Sequence, residues 1–184
     1  MEIAGLGESL RKPVRTYSKG MKRILALSTV LASRSKLLVL DEPTTGLDPQ
    51  GRHIVWDKIR ILRKQGVTII LTTHYMDEAT ALCDRVLIME NGKIIEKGTP
   101  QALIRKHVGQ AVLEVEYDEQ VVATLKVELP DSEIEVLGEQ VRVFLKQPHG
   151  VFERVAKKFP SKTLTIRSAN LEDVFLKLTG RKLE

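Results

Sequence analysis

Asp41 and Glu42 stand side by side behind the apolar run Leu37-Leu38-Val39-Leu40, and Pro43 follows them. Four apolar residues in a row read as a parallel strand buried on both faces. Pro43 cannot donate to a ladder, so the strand stops there and leaves both carboxylates at its C-terminal end. Open parallel sheets bind ligands in the crevice at the carboxyl ends of their strands. At phosphoryl-transfer sites an Asp in this position helps hold Mg2+, and a second carboxylate beside it can orient or deprotonate a water. The plainer alternative is a strand that ends in a solvated turn.

Two further places invite chemistry. A second apolar run, residues 67–72, ends at Thr73-His74, so His74 also sits at a strand's carboxyl end. A lone histidine there is most often a satisfied loop residue. Ser18 stands before a helical pattern, where it serves as an N-cap. The N–H groups of Lys19 and Gly20 then face outward with the positive end of the helix dipole, a natural anion site.

The elements that carry these residues follow from periodicity. Residues 1–17 hold no clear element beyond a short helix near 6–10, ended by Pro13. A helix over about 20–32 places Ile24, Leu27 and Leu31 on one face. Asp48-Pro49 supplies a cap and a proline at the first helical position, opening a helix to about Lys64 with Val55, Ile59 and Leu62 as its buried stripe. Gln65-Gly66 closes it, and strand 67–72 is expected to be buried and parallel to the first. A short helix over 76–82 follows. Strands 85–90 and 93–97 flank Asn91-Gly92, a turn pair favoured in two-residue hairpins. Thr99-Pro100 starts a helix to about Lys106.

A boundary is expected near residues 108–110. Beyond it the pattern reads as strand 111–117, helix 119–127, strands 133–137 and 140–146, helix 149–159, strand 163–167 and helix 170–179. The order βαββαβ predicts a small α+β ferredoxin-like sandwich closed by an extra helix. This part holds no metal-ligand spacing, nucleophile constellation or Gly-rich loop, and His149 reads as a surface loop residue.

The composition, 42% hydrophobic and 29% charged, suits a globular chain of one or two small domains. No apolar run approaches the ~18 residues of a membrane span, and the N-terminus lacks a signal-peptide layout. The single cysteine, Cys83, suits a reducing compartment. The net charge of +5 is uneven: residues 1–23 carry six Lys/Arg against two acids, residues 111–184 eleven against thirteen. A basic front end suits phosphate, nucleic acid or an acidic partner; a solvated helix face explains it equally well.

Over about residues 5–105 the chain resembles the ATP-binding cassette (ABC) ATPases. Residues 38–42 look like the Walker B motif, Thr45-Gly46-Leu47-Asp48 like the D-loop, and Thr73-His74 like the switch histidine. Tyr17-Ser18-Lys19-Gly20-Met21 resembles the signature, usually Leu-Ser-Gly-Gly-Gln, in the form of the drug- and antibiotic-export branch. Lys19 replaces the first glycine, which matters if the backbone there needs positive φ. Residues 111–184 resemble the accessory domain appended to some export-type members, with Asn170 to Phe175 as its closing helix. No Gly-x-x-x-x-Gly-Lys-[Ser/Thr] phosphate cradle occurs in the 184 residues.

The resemblance implies an α/β fold in two parts. Residues 1–107 would form the C-terminal part of the ATPase domain, without its Walker A half, and residues 111–184 the βαββαβ domain. It implies ATP and Mg2+ as cofactors once that half is supplied, with Asp41 holding the metal, Glu42 as the base and His74 sensing the γ-phosphate. Ser18, Lys19 and Gly20 would grip the phosphate of a second ATPase protomer, and Asp48 would communicate across that interface. The partners implied are that protomer and a membrane permease subunit, with no nucleic acid and no membrane contact except through the permease. The location implied is the cytoplasm, at the inner face of the membrane. The function implied is that of an exporter's nucleotide-binding subunit, with the chain alone inactive. The alternatives are a non-catalytic interaction or regulatory remnant, and the lobe of a DNA-repair or chromosome ABC ATPase. The appended domain and the absence of heptads before Tyr17 speak against the latter.

Overall fold

A computed structural model describes residues 11–33 and 35–180, and side chains in this range except those of 30–33. The expected helix near 6–10 and the side chain of Leu31 lie outside the described residues. The chain forms two compact units that part between Leu82 and Cys83.

In the first unit a short 3-10 turn, Val14–Thr16, leads into α1 (Lys19–Ser33). Then come β1 (Leu37–Asp41), α2 (Pro49–Lys64), β2 (Thr68–Thr72) and α3 (Met76–Leu82). β1 and β2 pair in parallel, Leu37 opposite Thr68 and Asp41 opposite Thr72, with α2 as the crossover. α2 begins as expected: Asp48 Oδ1 accepts from Gly51 N at 2.6 Å, and Pro49 holds the first position. Its stripe of Val55, Ile59 and Leu62 is buried, joined by Trp56. Each of the three aliphatics gains about 1.5–3 kcal/mol from burial. Val55, Trp56 and Ile59 pack with Tyr17, Ile24, Leu27 and Leu82 against Leu38, Leu40, Ile69 and Leu71.

That core covers one face of the strand pair, which corrects the expectation of burial on both. Leu37, Val39 and Ile70 point the other way and are 55%, 64% and 55% exposed. The residues are those of a two-sided parallel strand, but the helices of this unit lie against one side only.

In the second unit β3 (Val86–Glu90) and β4 (Lys93–Gly98) form an antiparallel hairpin. Asn91 and Gly92 both have positive φ, 49° and 74°, the geometry of a type I′ turn. Thr99 caps α4 (Pro100–His107), its hydroxyl accepting from Ala102 N. Behind α4, Glu96 receives Lys106 Nζ at 2.5 Å, a contact to His107 Nε2 at 2.7 Å and the Lys97 N–H. Led by Lys106, these hold its carboxyl down to about 2.

The remaining elements are β5 (Ala111–Glu116), α5 (Glu119–Glu128), β6 (Glu133–Leu137), β7 (Gln140–Leu145), α6 (Val151–Lys158), β8 (Leu164–Ser168) and α7 (Leu171–Thr179). The four strands pair antiparallel in the order β6-β7-β5-β8. That is the ferredoxin-like arrangement, as the βαββαβ order predicts. Ala111, Leu113, Val115, Val141, Val143 and Leu145 form a closed core with Val121 and Leu125 of α5 and Val151 and Val155 of α6. α7 is tied to the other face, where Lys177 lies over the Phe144 ring at 5.1 Å and bonds Glu133.

By contacts, the hairpin and α4 fall with the C-terminal unit. α4 packs on α7, and Lys177 Nζ donates to His107 O at 2.7 Å. The buried cluster of that unit nevertheless begins at Ala111, and on this ground we propose 111–184 as a separable domain. Limited proteolysis should nick near 107–111 and release a folded fragment. A resistant core that begins near Cys83 would instead make the hairpin and α4 integral to it. No helix among the described residues is long and apolar enough to cross a membrane.

Candidate functional site

Asp41 and Thr72 are paired in register at the carboxyl ends of β1 and β2, so the loops that follow leave from the same edge. The Thr72 hydroxyl donates to Asp41 Oδ1 and accepts from Glu42 N at 3.2 Å. Glu42 N also donates to Thr72 O at 3.0 Å. Glu42 has φ 43°, in the left-handed region that non-glycine residues seldom occupy. Several bonds fix it there. Arg23 Nη1 of α1 donates to its carbonyl at 2.6 Å, and Thr45 Oγ1 donates to its Oε2 at 3.0 Å. His74 Nδ1 lies 3.2 Å from Oε1. The structure thus brings Asp41, Glu42 and His74 together at one strand edge.

A buried carboxylate lies behind this edge. Glu78 of α3 is wholly buried, and its Oε1 accepts from Thr44 Oγ1 and Trp56 Nε1, both at 2.9 Å. Its Oε2 is buried with no hydrogen-bond partner among the described residues. Glu78 therefore ties the turn after Glu42 to α2 and α3. Sequence reasoning missed it, because Met-Asp-Glu-Ala at a helix start reads as a solvated polar turn. Arg23, Thr45 and Thr72 were missed too. Only the proximity of Thr45 to Glu42 in sequence could have suggested a local contact.

Ser18, Lys19 and Gly20 are not among the partners of Asp41, Glu42 or His74. Ser18 Oγ accepts from Met21 N at 3.2 Å, the bond of an N-cap. Lys19 is exposed and already helical, without positive φ, so replacing a glycine there carries no backbone strain. Gly20 is the tighter position: a Cβ on it would meet Leu47 Cδ2 at 3.3 Å. The signature turn thereby packs close to the loop that carries Asp48, itself exposed as the cap of α2. Among the described residues no three His, Cys, Asp or Glu side chains gather as a metal cluster.

Two family models match parts of the chain. One, described as "AAA domain, putative AbiEii toxin, Type IV TA system", matches residues 10–76. The other, the C-terminal domain of the nodulation factor export protein NodI, matches residues 120–180, within the ferredoxin-like sandwich. The whole chain aligns at 44% identity with the Nod factor export ATP-binding protein I of Mesorhizobium japonicum, covering 54% of it. It aligns at 42% with the protein of that name from Burkholderia lata, covering 60%. Over its whole length the chain is thus similar to ATP-binding proteins of exporters. Its relatives are of the export type, as the signature and the C-terminal domain suggest. Among solved structures, cbiO1 from Clostridium perfringens, part of the ABC transporter complex cbiONQ, superimposes with a TM-score of 0.50 at 30% identity. That match covers 71% of this chain and 47% of cbiO1. The chain spans little more than half the length of the curated relatives it matches.

Proposed function

We propose that these residues serve the nucleotide-binding subunit of an ABC exporter, at the inner face of a membrane beside a permease subunit. The observation that carries this is the pairing of Glu42 and His74 across the ends of two parallel strands. Glu42 is the base that orients and deprotonates the attacking water. Its second oxygen is anchored by Thr45, so the carboxylate is held rather than free to rotate. An ionised Glu42 makes His74 Nδ1 the donor of their bond. His74 Nε2 is then the nitrogen left to meet the γ-phosphate, carrying a proton when the ring is cationic. Asp41 is an exposed carboxylate of the hard-oxygen type that suits Mg2+, a cation that keeps several waters beside one or two carboxylates. Mg2+ would neutralise phosphate charge there.

The N-terminus of α1, with Ser18, Lys19 and Gly20, presents N–H groups to a phosphate held by a second protomer, and Asp48 lies at that interface. The arrangement needs a phosphate cradle that these 184 residues do not contain, so ATP is expected to bind a longer chain. A complete homologous ATPase domain, trapped by the change equivalent to Glu42→Gln, provides the test. Mixed with this chain and ATP, it should elute in size-exclusion chromatography as a heterodimer, and Ser18→Arg should abolish that species. This chain alone should not bind ATP·Mg2+ tightly. No mixed dimer, or one indifferent to Ser18→Arg, would remove the role given to the signature turn.

A further inference from the structure

The loop that carries His74 is fastened to α2 by stacked rings and one cation. The Thr73 hydroxyl accepts from Tyr75 N at 3.0 Å and bends the chain. The rings of His74 and Tyr75 then meet with centroids 4.1 Å apart and planes tilted by 43°. The Arg52 guanidinium lies over the other partner of this stack: its Cζ is 4.3 Å from the Tyr75 centroid and 5.5 Å from that of Trp56. Its Nη2 donates to both oxygens of Asp77, at 2.8 and 3.0 Å. Asp77 Oδ1 also takes the Glu78 N–H at 2.8 Å, anchoring it at the start of α3. Arg52 Nε is buried with no hydrogen-bond partner among the described residues. A donor left unmade is tolerated here where a planar cation lies against two aromatic rings while it bonds a carboxylate, a task lysine cannot perform.

His74 itself has little else to hold it. Its side chain is 42% exposed, and among the described residues its one polar contact is the 3.2 Å approach to Glu42. We propose that Tyr75 and Arg52 are positioning residues for His74: Tyr75 fixes the imidazole plane, and Arg52 fixes Tyr75 to α2, whose first turn is capped by Asp48. The proposal rests on the reading of His74 as the phosphate-facing histidine. It deepens that reading by giving the D-loop helix a physical connection to the histidine.

The stack is read in this chain without nucleotide, from the Cε1–Hε1 signals of its four histidines. His74 is assigned by His74→Gln, and exposed His149 marks the unstacked position. Tyr75→Leu should bring the His74 signal to that position, whereas Tyr75→Phe should leave it displaced. The indole N–H signal of the single tryptophan should stay in place in both. Arg52→Gln leaves both rings present and should move His74 part of the way, even if Tyr75→Leu fails to fold. An unmoved His74 signal in Arg52→Gln, or a Phe variant that behaves like Leu, overturns the proposal. In the full-length protein Tyr75→Leu should lower kcat by up to ~10²-fold, as a misplacement of about 1 Å does, with KM little changed. A fall in kcat with no movement of His74 would give Tyr75 a direct role and also overturn positioning. Loss of all ATP hydrolysis in the unaltered full-length protein would fail the functional reading while leaving the stack intact.

Discussion

Glu42→Gln, made in a protein of the relatives' full length, should lower ATP hydrolysis by about 10²–10⁴-fold, the contribution of a positioned base. ATP-dependent association should survive. Glutamine keeps the size of the side chain, and its oxygen still accepts from Thr45 Oγ1. It does not change the demand on the backbone, held at φ 43° by the Arg23 and Thr72 bonds rather than by side-chain type. What it removes is the lone pair that takes the proton from water. It also places an amide N–H toward His74 Nδ1, where an ionised carboxylate had required a donor from the ring. The neutral histidine can answer by moving its proton to Nε2, still facing phosphate, so binding is preserved. Asp41→Asn should behave differently, weakening Mg2+-dependent nucleotide binding with the base intact. Phosphate release and size-exclusion chromatography with ATP separate the two. Near-normal hydrolysis by Glu42→Gln would remove Glu42 from the role of base.

The elements were legible because their signals are local. Asp48-Pro49, Thr99-Pro100 and Asn91-Gly92 act within three or four residues of themselves, and each sits where a helix start or turn was expected, while Asn170, expected as the first residue of the closing helix, is its cap. The βαββαβ element order predicts a ferredoxin-like sandwich, and the four strands pair accordingly in the order β6-β7-β5-β8. The Asp41, Glu42 and His74 constellation was legible as a resemblance, while its supports were not. Arg23, Thr72, Trp56 and Glu78 reach their partners across 19 to 34 residues of chain. No periodicity records such a reach. Glu78 shows the difficulty most plainly: a carboxylate in the first turn of a helix is favoured by the dipole alone, so its burial leaves no trace in the pattern. The opposite error was made at β1. An apolar run records a capacity for burial, and Leu37 and Val39 have that capacity without cover in this chain.

Asp173→Ala should cost the C-terminal unit about 3 kcal/mol, at the lower end for breaking a buried ion pair, because Arg167 keeps partial access to water and a second carboxylate. Asp173 is almost wholly buried, and both its oxygens receive Arg167, at 2.8 and 2.7 Å. It also closes the capping box of α7, accepting from Asn170 N while Asn170 Oδ1 accepts from Asp173 N, each at 3.0 Å. Alanine removes the ion pair and half of the box together. Arg167 would then depend on Glu114, which is shared with Arg142. Asp173→Asn should cost less, since the amide oxygen can still serve the box or one guanidinium N–H while the charge is lost. The single tryptophan, Trp56, lies in the other unit, so its fluorescence follows the first unit, whereas far-UV circular dichroism follows both. In urea the dichroism transition of Asp173→Ala should move to lower denaturant while the Trp56 transition stays in place. A midpoint unchanged in dichroism would mean that the Arg167–Asp173 pair contributes nothing net. A Trp56 transition that moves with it would mean that the two units unfold as one.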